Sequence, residues 1–257
     1  MRLLFNLFLS LFVLGLLPIM GCSQFSESIA SDRPGQAIGS SSVGKGVFQL
    51  QSGYNFNWQH EDASSSRFTS HTTDLRLGMS DKFEVNGTLG WVSGQLETDT
   101  TQLQVGGLRQ TDVGLRAQLL ENDGWIPSLG IQGRILLNGP RPLLLPDELG
   151  AQLILSSSHG LNHNFSINTN WIIGWYGLSE SPQASYVLNI GYGINDRWAA
   201  FVEMYGGLST FGTLFDGGLS FLIDENFQLD FSAGKQAGET TSSWFLDGGL
   251  SWRLVKR

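Results

Sequence analysis

The chain has 257 residues, 33 of them glycine, and only 15% are charged, against about 25% in ordinary soluble proteins. A single cysteine excludes a disulfide scaffold, and a net charge of -8 with 15 Lys and Arg leaves too little positive charge to cover a phosphate backbone, so nucleic acid drops out as a partner. Mean hydropathy of -0.04 is too low for a bundle of membrane helices.

Residues 1–21 open with one Arg and an apolar run interrupted only by Asn6, Ser10 and Pro18. That length and those flanks read as a signal peptide, so export is expected. Ile19-Met20-Gly21-Cys22 resembles a bacterial lipobox ending at a lipidated Cys22. The competing reading is ordinary cleavage nearby, or after Ser28-Ile29-Ala30, with Cys22 discarded. No later stretch reaches the ~18 to 20 apolar residues that a spanning helix needs, so membrane insertion would use strands. Residues 22–46 are rich in Ser and Gly without periodicity, the composition of a tether or a loosely held plug.

From Val47 to the C-terminus the pattern alternates with period two, as in Phe83-Glu84-Val85-Asn86-Gly87-Thr88-Leu89 and Phe227-Gln228-Leu229-Asp230-Phe231. A short polar turn followed by an aromatic recurs five times: Ser80–Phe83, Asn122–Trp125, Asn162–Phe165, Asn195–Trp198 and Asp224–Phe227. The spacing of ~29 to 42 residues fits two strands and one longer loop per repeat. About twelve strands are expected over 47–257, starting near Val47, Phe68, Phe83, Thr111, Trp125, Leu149, Asn164, Ala184, Trp198, Leu214, Phe227 and Ser242. An even count puts both termini on the short-turn side, read as periplasmic.

A water-soluble sandwich also alternates, and the tryptophans separate the two folds. Trp125, Trp198 and Trp252 fall at the short-turn end and Trp58, Trp91, Trp171, Trp175 and Trp244 towards the other, which makes two interfacial girdles. The polar face carries Gln, Asn, Asp, Glu and Arg but almost no Lys, as suits a wet lumen. The fold expected is an all-β, up-and-down antiparallel transmembrane β-barrel in the outer membrane of a diderm bacterium, with lipid around it.

Ser31-Asp32-Arg33-Pro34 and Val43–Tyr54, then Leu75-Arg76-Leu77-Gly78 with Ser80–Glu84, and Asn189–Gly193 before Asn195–Trp198 resemble the outer-membrane family named after the meta pathway of phenol degradation. The resemblance covers nearly the whole mature chain and implies a transporter, with no substrate implied. In the last strand, Asp247, Gly249, Trp252 and Leu254 resemble the signal read by the barrel-assembly machinery, with Leu254 where an aromatic is usual.

The candidate functional residues are those with inward parity: Asp74, Arg76, Glu84, Asp112, Arg116, Arg134, Glu203, Asp216, Asp230, Asp247 and Arg253. Part of this lining is expected only to pair buried charge within the wall. Twelve strands ~4.8 Å apart and tilted ~40° give a lumen about 10 to 12 Å wide once side chains are subtracted, and seven acids against four bases should favour cations. Outward His71 and Thr73 are the one hint of a lipid-modifying enzyme, and no outward Ser follows them at lipase spacing. His159 and His163 flank a turn, His60-Glu61-Asp62 reads as loop, and Gly217-Gly218 and Gly248-Gly249 read as strand glycines rather than phosphate loops. Neither a metal, a cofactor nor a reaction is expected. The loop Asn138–Glu148, with three prolines and three consecutive leucines, reads as a constriction or a docking element. The function expected is a narrow channel or transporter for small solutes, with a non-conducting anchoring barrel as the alternative.

Overall fold

The structure is a computed structural model that describes residues 28–61, 64–98, 100–137, 149–162, 164–177, 181–208, 213–236 and 242–255. The signal peptide, Cys22, His163, Asp62 and the Asn138–Glu148 loop lie outside these described residues. Period-two alternation becomes twelve antiparallel strands: β1 (Val47–Glu61), β2 (Ser64–Gly78), β3 (Phe83–Thr98), β4 (Gln102–Leu120), β5 (Ser128–Leu136), β6 (Gly150–Gly160), β7 (Phe165–Trp175), β8 (Gln183–Gly193), β9 (Trp198–Gly207), β10 (Thr213–Asp224), β11 (Phe227–Gln236) and β12 (Ser242–Val255). Each pairs with its sequence neighbours, and β1 pairs with β12, so the sheet closes and leaves no free edge. Closure runs from Val47 opposite Val255 to His60 opposite Ser242, which sets the start of β1 and the end of β12 at the short-turn end of the barrel.

The five polar turns form the β2–β3, β4–β5, β6–β7, β8–β9 and β10–β11 connections. Asn162, Asn195 and Asp224 hold theirs by accepting amide hydrogen bonds from two or three residues ahead, the local bond that suits Asn and Asp to turns. At the other end the expectation of uniformly longer loops fails for the first four strands. β4 begins at Gln102 rather than near Thr111, and His60 and Glu61 are strand residues, because the chain spends these residues on tall hairpins instead of loops. A register shift between Leu89/Trp91 and their β4 partners lets the strand bend there and continue. β5 starts at Ser128 rather than near Trp125, because Asp123 and Ile126 form an isolated bridge that keeps Trp125 in the turn, almost fully exposed.

Burial is inverted relative to a water-soluble domain. Among the described residues six apolar side chains are buried against 25 polar or charged ones. Outward Leu75, Leu77, Leu89, Val113, Val202, Leu219, Leu229 and Phe231 are exposed. The outward aromatics pair across strands near both ends: Phe48 with Trp252, Phe165 with Tyr192 and Trp198 with Phe221 towards the short turns, and Trp58 stacked on Trp244 at 4.1 Å towards the other end. An apolar outer band bounded by aromatics is the arrangement that lipid rewards.

Candidate functional site: the lumen and its N-terminal segment

All eleven inward candidates belong to the described residues, and eight of them, all but Asp74, Arg134 and Asp247, are buried. What gathers them is the segment 28–46, which hydrogen-bonds with inward side chains from around the barrel. Arg253 donates to the Ser28 carbonyl, Gln49 and Arg76 donate to the Ala30 carbonyl, and Ser31 bonds Ser251. Further along, the Ile38 amide and carbonyl both engage the Asn170 side chain at 2.8 Å. Ser40 bonds Ser128, and the Val43 amide donates to Glu84. The segment then returns to the wall, where the Gly46 amide donates to the Gly78 carbonyl.

Two adjacent side chains of this segment carry its charge contacts. The Asp32 carboxylate lies 2.6 Å from Arg116 and 3.4 Å from Arg76. Arg76 in turn holds Glu84 with two nitrogens at 2.8 and 2.9 Å, and Arg116 also grips Gln132. Burial would raise the Asp32 carboxyl, but Arg116, Arg76 and the Gly39 amide outweigh it and hold it well below the usual carboxylate range. Arg33 points to the other side, bridging Asp230 at 3.0 Å and Asp247. Burial works against its charge, yet the two carboxylates raise its pKa above the ordinary arginine value. Backbone geometry makes room for this side chain: a Cβ on inward Gly53 or Gly249 would collide with the guanidinium. Similarly, a Cβ on Gly130 would meet the Ser40 backbone.

Glu203 accepts from the Gln36 and Ala37 amides and from Asn189. Asp74 accepts from Thr88 at 2.6 Å, and Arg134 lies 3.9 Å from Asp112. The segment leaves a cavity of about 310 Å³ against β7–β10, lined by residues such as Pro34, Ile38, Asn168, Asn189 and Phe201.

Sequence parity found the wall residues and missed Asp32 and Arg33 as their partners. The signal was present: seven inward acids against four bases cannot pair among themselves, and the Ser/Gly-rich stretch contains an isolated Asp-Arg pair. The outward face also holds a surprise. His71 Nε2 lies 2.9 Å from Ser52 Oγ, which is 3.0 Å from Thr73 Oγ1. The serine comes from the neighbouring strand, which no spacing along one strand could reveal. With the Tyr54 ring 4.6 Å from that of His71 and Leu75 and Leu89 exposed around it, the trio sits on the apolar band, where mutual hydrogen bonding satisfies three hydroxyl and imidazole groups. Among the described residues no group of three His, Cys, Asp or Glu converges as a metal site. His159 lies in β6. Gly217-Gly218 and Gly248-Gly249 lie within β10 and β12, and Asp247, Gly249, Trp252 and Leu254 all fall in β12.

The family described as "Putative MetA-pathway of phenol degradation" matches residues 31–254. No curated protein matches. Among solved structures, an outer-membrane channel from Pseudomonas putida F1 aligns with a TM-score of 0.63 at 13% identity, over 87% of this chain and 100% of that one. The translocator domain of the autotransporter NalP from Neisseria meningitidis aligns at 0.53 and 10% identity, over 87% and 90% of the two chains. The KdgM porin aligns at 0.52 and 11% identity, over 78% and 98%. These likenesses are of fold.

Proposed function

The chain belongs to the family matched over residues 31–254, and from that premise we propose that it is an outer-membrane channel for small solutes whose lumen is narrowed by its own residues 28–46. The observation that carries this reading is the way the segment is held. It is fixed through side chains and single main-chain bonds rather than by pairing as a thirteenth strand, so it can leave without opening the wall. The cavity of about 310 Å³ beside it supplies residual space along β7–β10.

In this reading the short-turn end, with both chain ends, faces the periplasm. Residues 1–21 serve export and Cys22 is a candidate for lipidation. Outer-membrane lipid surrounds the apolar band, and the barrel-assembly machinery reads the last strand. Counting Asp32, Arg33 and the Arg109 that reaches inward to Ser70 with the wall gives eight lumen acids against six bases among the described residues, so the lumen is acidic and passes cations over anions. No reaction is assigned to the barrel. The Ser52–His71–Thr73 trio is read as self-satisfied polar groups.

Planar-bilayer recording of the purified full chain tests this. Small, cation-preferring conductance in the native protein, and larger steps when Asp32 and Arg33 are both changed to Asn and Gln, are expected. Silence from both proteins, each shown to be assembled, leaves the non-conducting anchoring barrel.

A further inference from the structure

Asp216 on β10 stands directly opposite Glu203 on β9. It is 7% exposed, and neither of its carboxylate oxygens meets a hydrogen-bond donor among the described residues. On β11, the fully buried Ser232 hydroxyl and the second oxygen of Asp230 are also without a partner among the described residues. Glu203 is occupied by amides of the segment and by Asn189, and Arg33 by Asp230 and Asp247. Two facing carboxylates in a poorly solvated place repel strongly unless a proton or a cation lies between them.

The surroundings are shaped as well as charged. The Phe245 ring lies over Gly234 beside the Asp216 Cβ, and the Phe201 ring lies over Gly218 beside the Ser232 Cβ. Both glycines face inward, and any larger residue there would displace the ring. Phe201 also borders the cavity beside the N-terminal segment. Acceptors spread over three neighbouring strands, β9, β10 and β11, with aromatic rings beside them, suit a group that donates several separate hydrogen bonds and attracts a ring face. A primary ammonium has three such donors and binds aromatic faces. A divalent ion suits the place poorly, because no three metal-donor side chains converge among the described residues.

We propose that Asp216, Glu203 and Ser232, flanked by Phe245 and Phe201, bind the ammonium group of a primary alkylamine solute. The proposal rests on the channel reading for the solute's arrival, and the site can be tested without it. The probe is n-butylammonium, titrated calorimetrically into the full chain in detergent, with n-butanol as the uncharged control.

Saturable binding of n-butylammonium is expected, with n-butanol about tenfold weaker or more, and a similar loss in Asp216→Asn, as a charged hydrogen bond is removed in each case. Equal affinity for the two probes overturns the proposal and leaves a carboxyl pair sharing a proton, as does an Asp216→Asn barrel that binds like the native one. Heat-modifiable gel migration checks assembly of the variant. If the variant does not assemble, the two probes on the native chain decide alone. Swelling of proteoliposomes in n-butylammonium chloride separates this proposal from the channel reading. Binding without entry removes the channel and keeps the site, whereas entry without saturable binding does the reverse.

Discussion

Across the lumen, two walls bury charge in different ways. The wall of β2–β5 carries Asp74, Glu84 and Asp112 against Arg76, Arg116 and Arg134, with Arg109 of β4 also reaching inward to Ser70, and its central members are joined through Glu84, Asp32 and Gln132. The wall of β9–β12 carries Glu203, Asp216, Asp230 and Asp247. Its one inward base, Arg253, sits at the short-turn edge, where it donates to Asn226 and to the Ser28 carbonyl. The first wall supplies its own counter-charges. The second relies on Arg33 from the N-terminal segment, and Asp216 is left without a donor among the described residues. A barrel can thus hold one side of its lumen rigid through internal pairing while the other stays open to an exchangeable cation.

The sharpest way to break this contrast is to remove a partner from the internally paired wall. Arg116→Met should cost about 3–5 kcal/mol, because the buried Asp32 and Glu84 carboxylates would be left to share Arg76 alone. Unfolding from detergent by guanidinium measures the cost, and a loss below about 1 kcal/mol would mean that the pairing does not hold that wall. Next in size is the lipid face of the acidic wall. Leu229→Arg should cost about 2–4 kcal/mol, since it puts a charge in hydrocarbon, whereas Ser220→Arg, opposite Asp230 and bordering the lumen cavity, should assemble nearly normally. Folding yields into lipid vesicles compare the two, and equal damage would refute the face assignment.

Acid probes the segment rather than the walls. The Asp32 pKa is depressed in the folded state, so its contribution is complete above the ordinary aspartate value of about 3.9 and is lost as pH falls through the lower folded value. Conductance should therefore be flat from about pH 7 to 5 and rise only once pH falls below the ordinary aspartate value of about 3.9, and Asp32→Asn should show the raised level at neutral pH. A rise centred near neutrality would point to another group. The smallest effect is expected at Asp216. With no donor to lose, Asp216→Asn should change stability by less than about 1 kcal/mol, towards the stable side. A large loss in guanidinium unfolding would mean that this carboxyl has a structural partner.

Much of this architecture was legible because β-barrel information is local. Alternation assigned Leu77 and Leu229 to lipid and Asp74, Glu84 and Asp230 to the lumen, and five Asn/Asp turns with a following aromatic counted the strands. Hairpin height was less legible. Gln102–Gln104 and His60 have no strong alternation, and their strand conformation comes from the ladder partner beside them.

Sequence alone determined strand number, facing and the excess of inward acids, since each follows from residues within one hairpin. Only the tertiary structure decided which charges meet. Asp32 reaches Arg116 across 84 residues and Arg33 reaches Asp230 across 197, while Ser52 finds His71 on the next strand. Such contacts depend on register between strands and on a segment lying inside the closed sheet, and a period-two pattern carries no information about either.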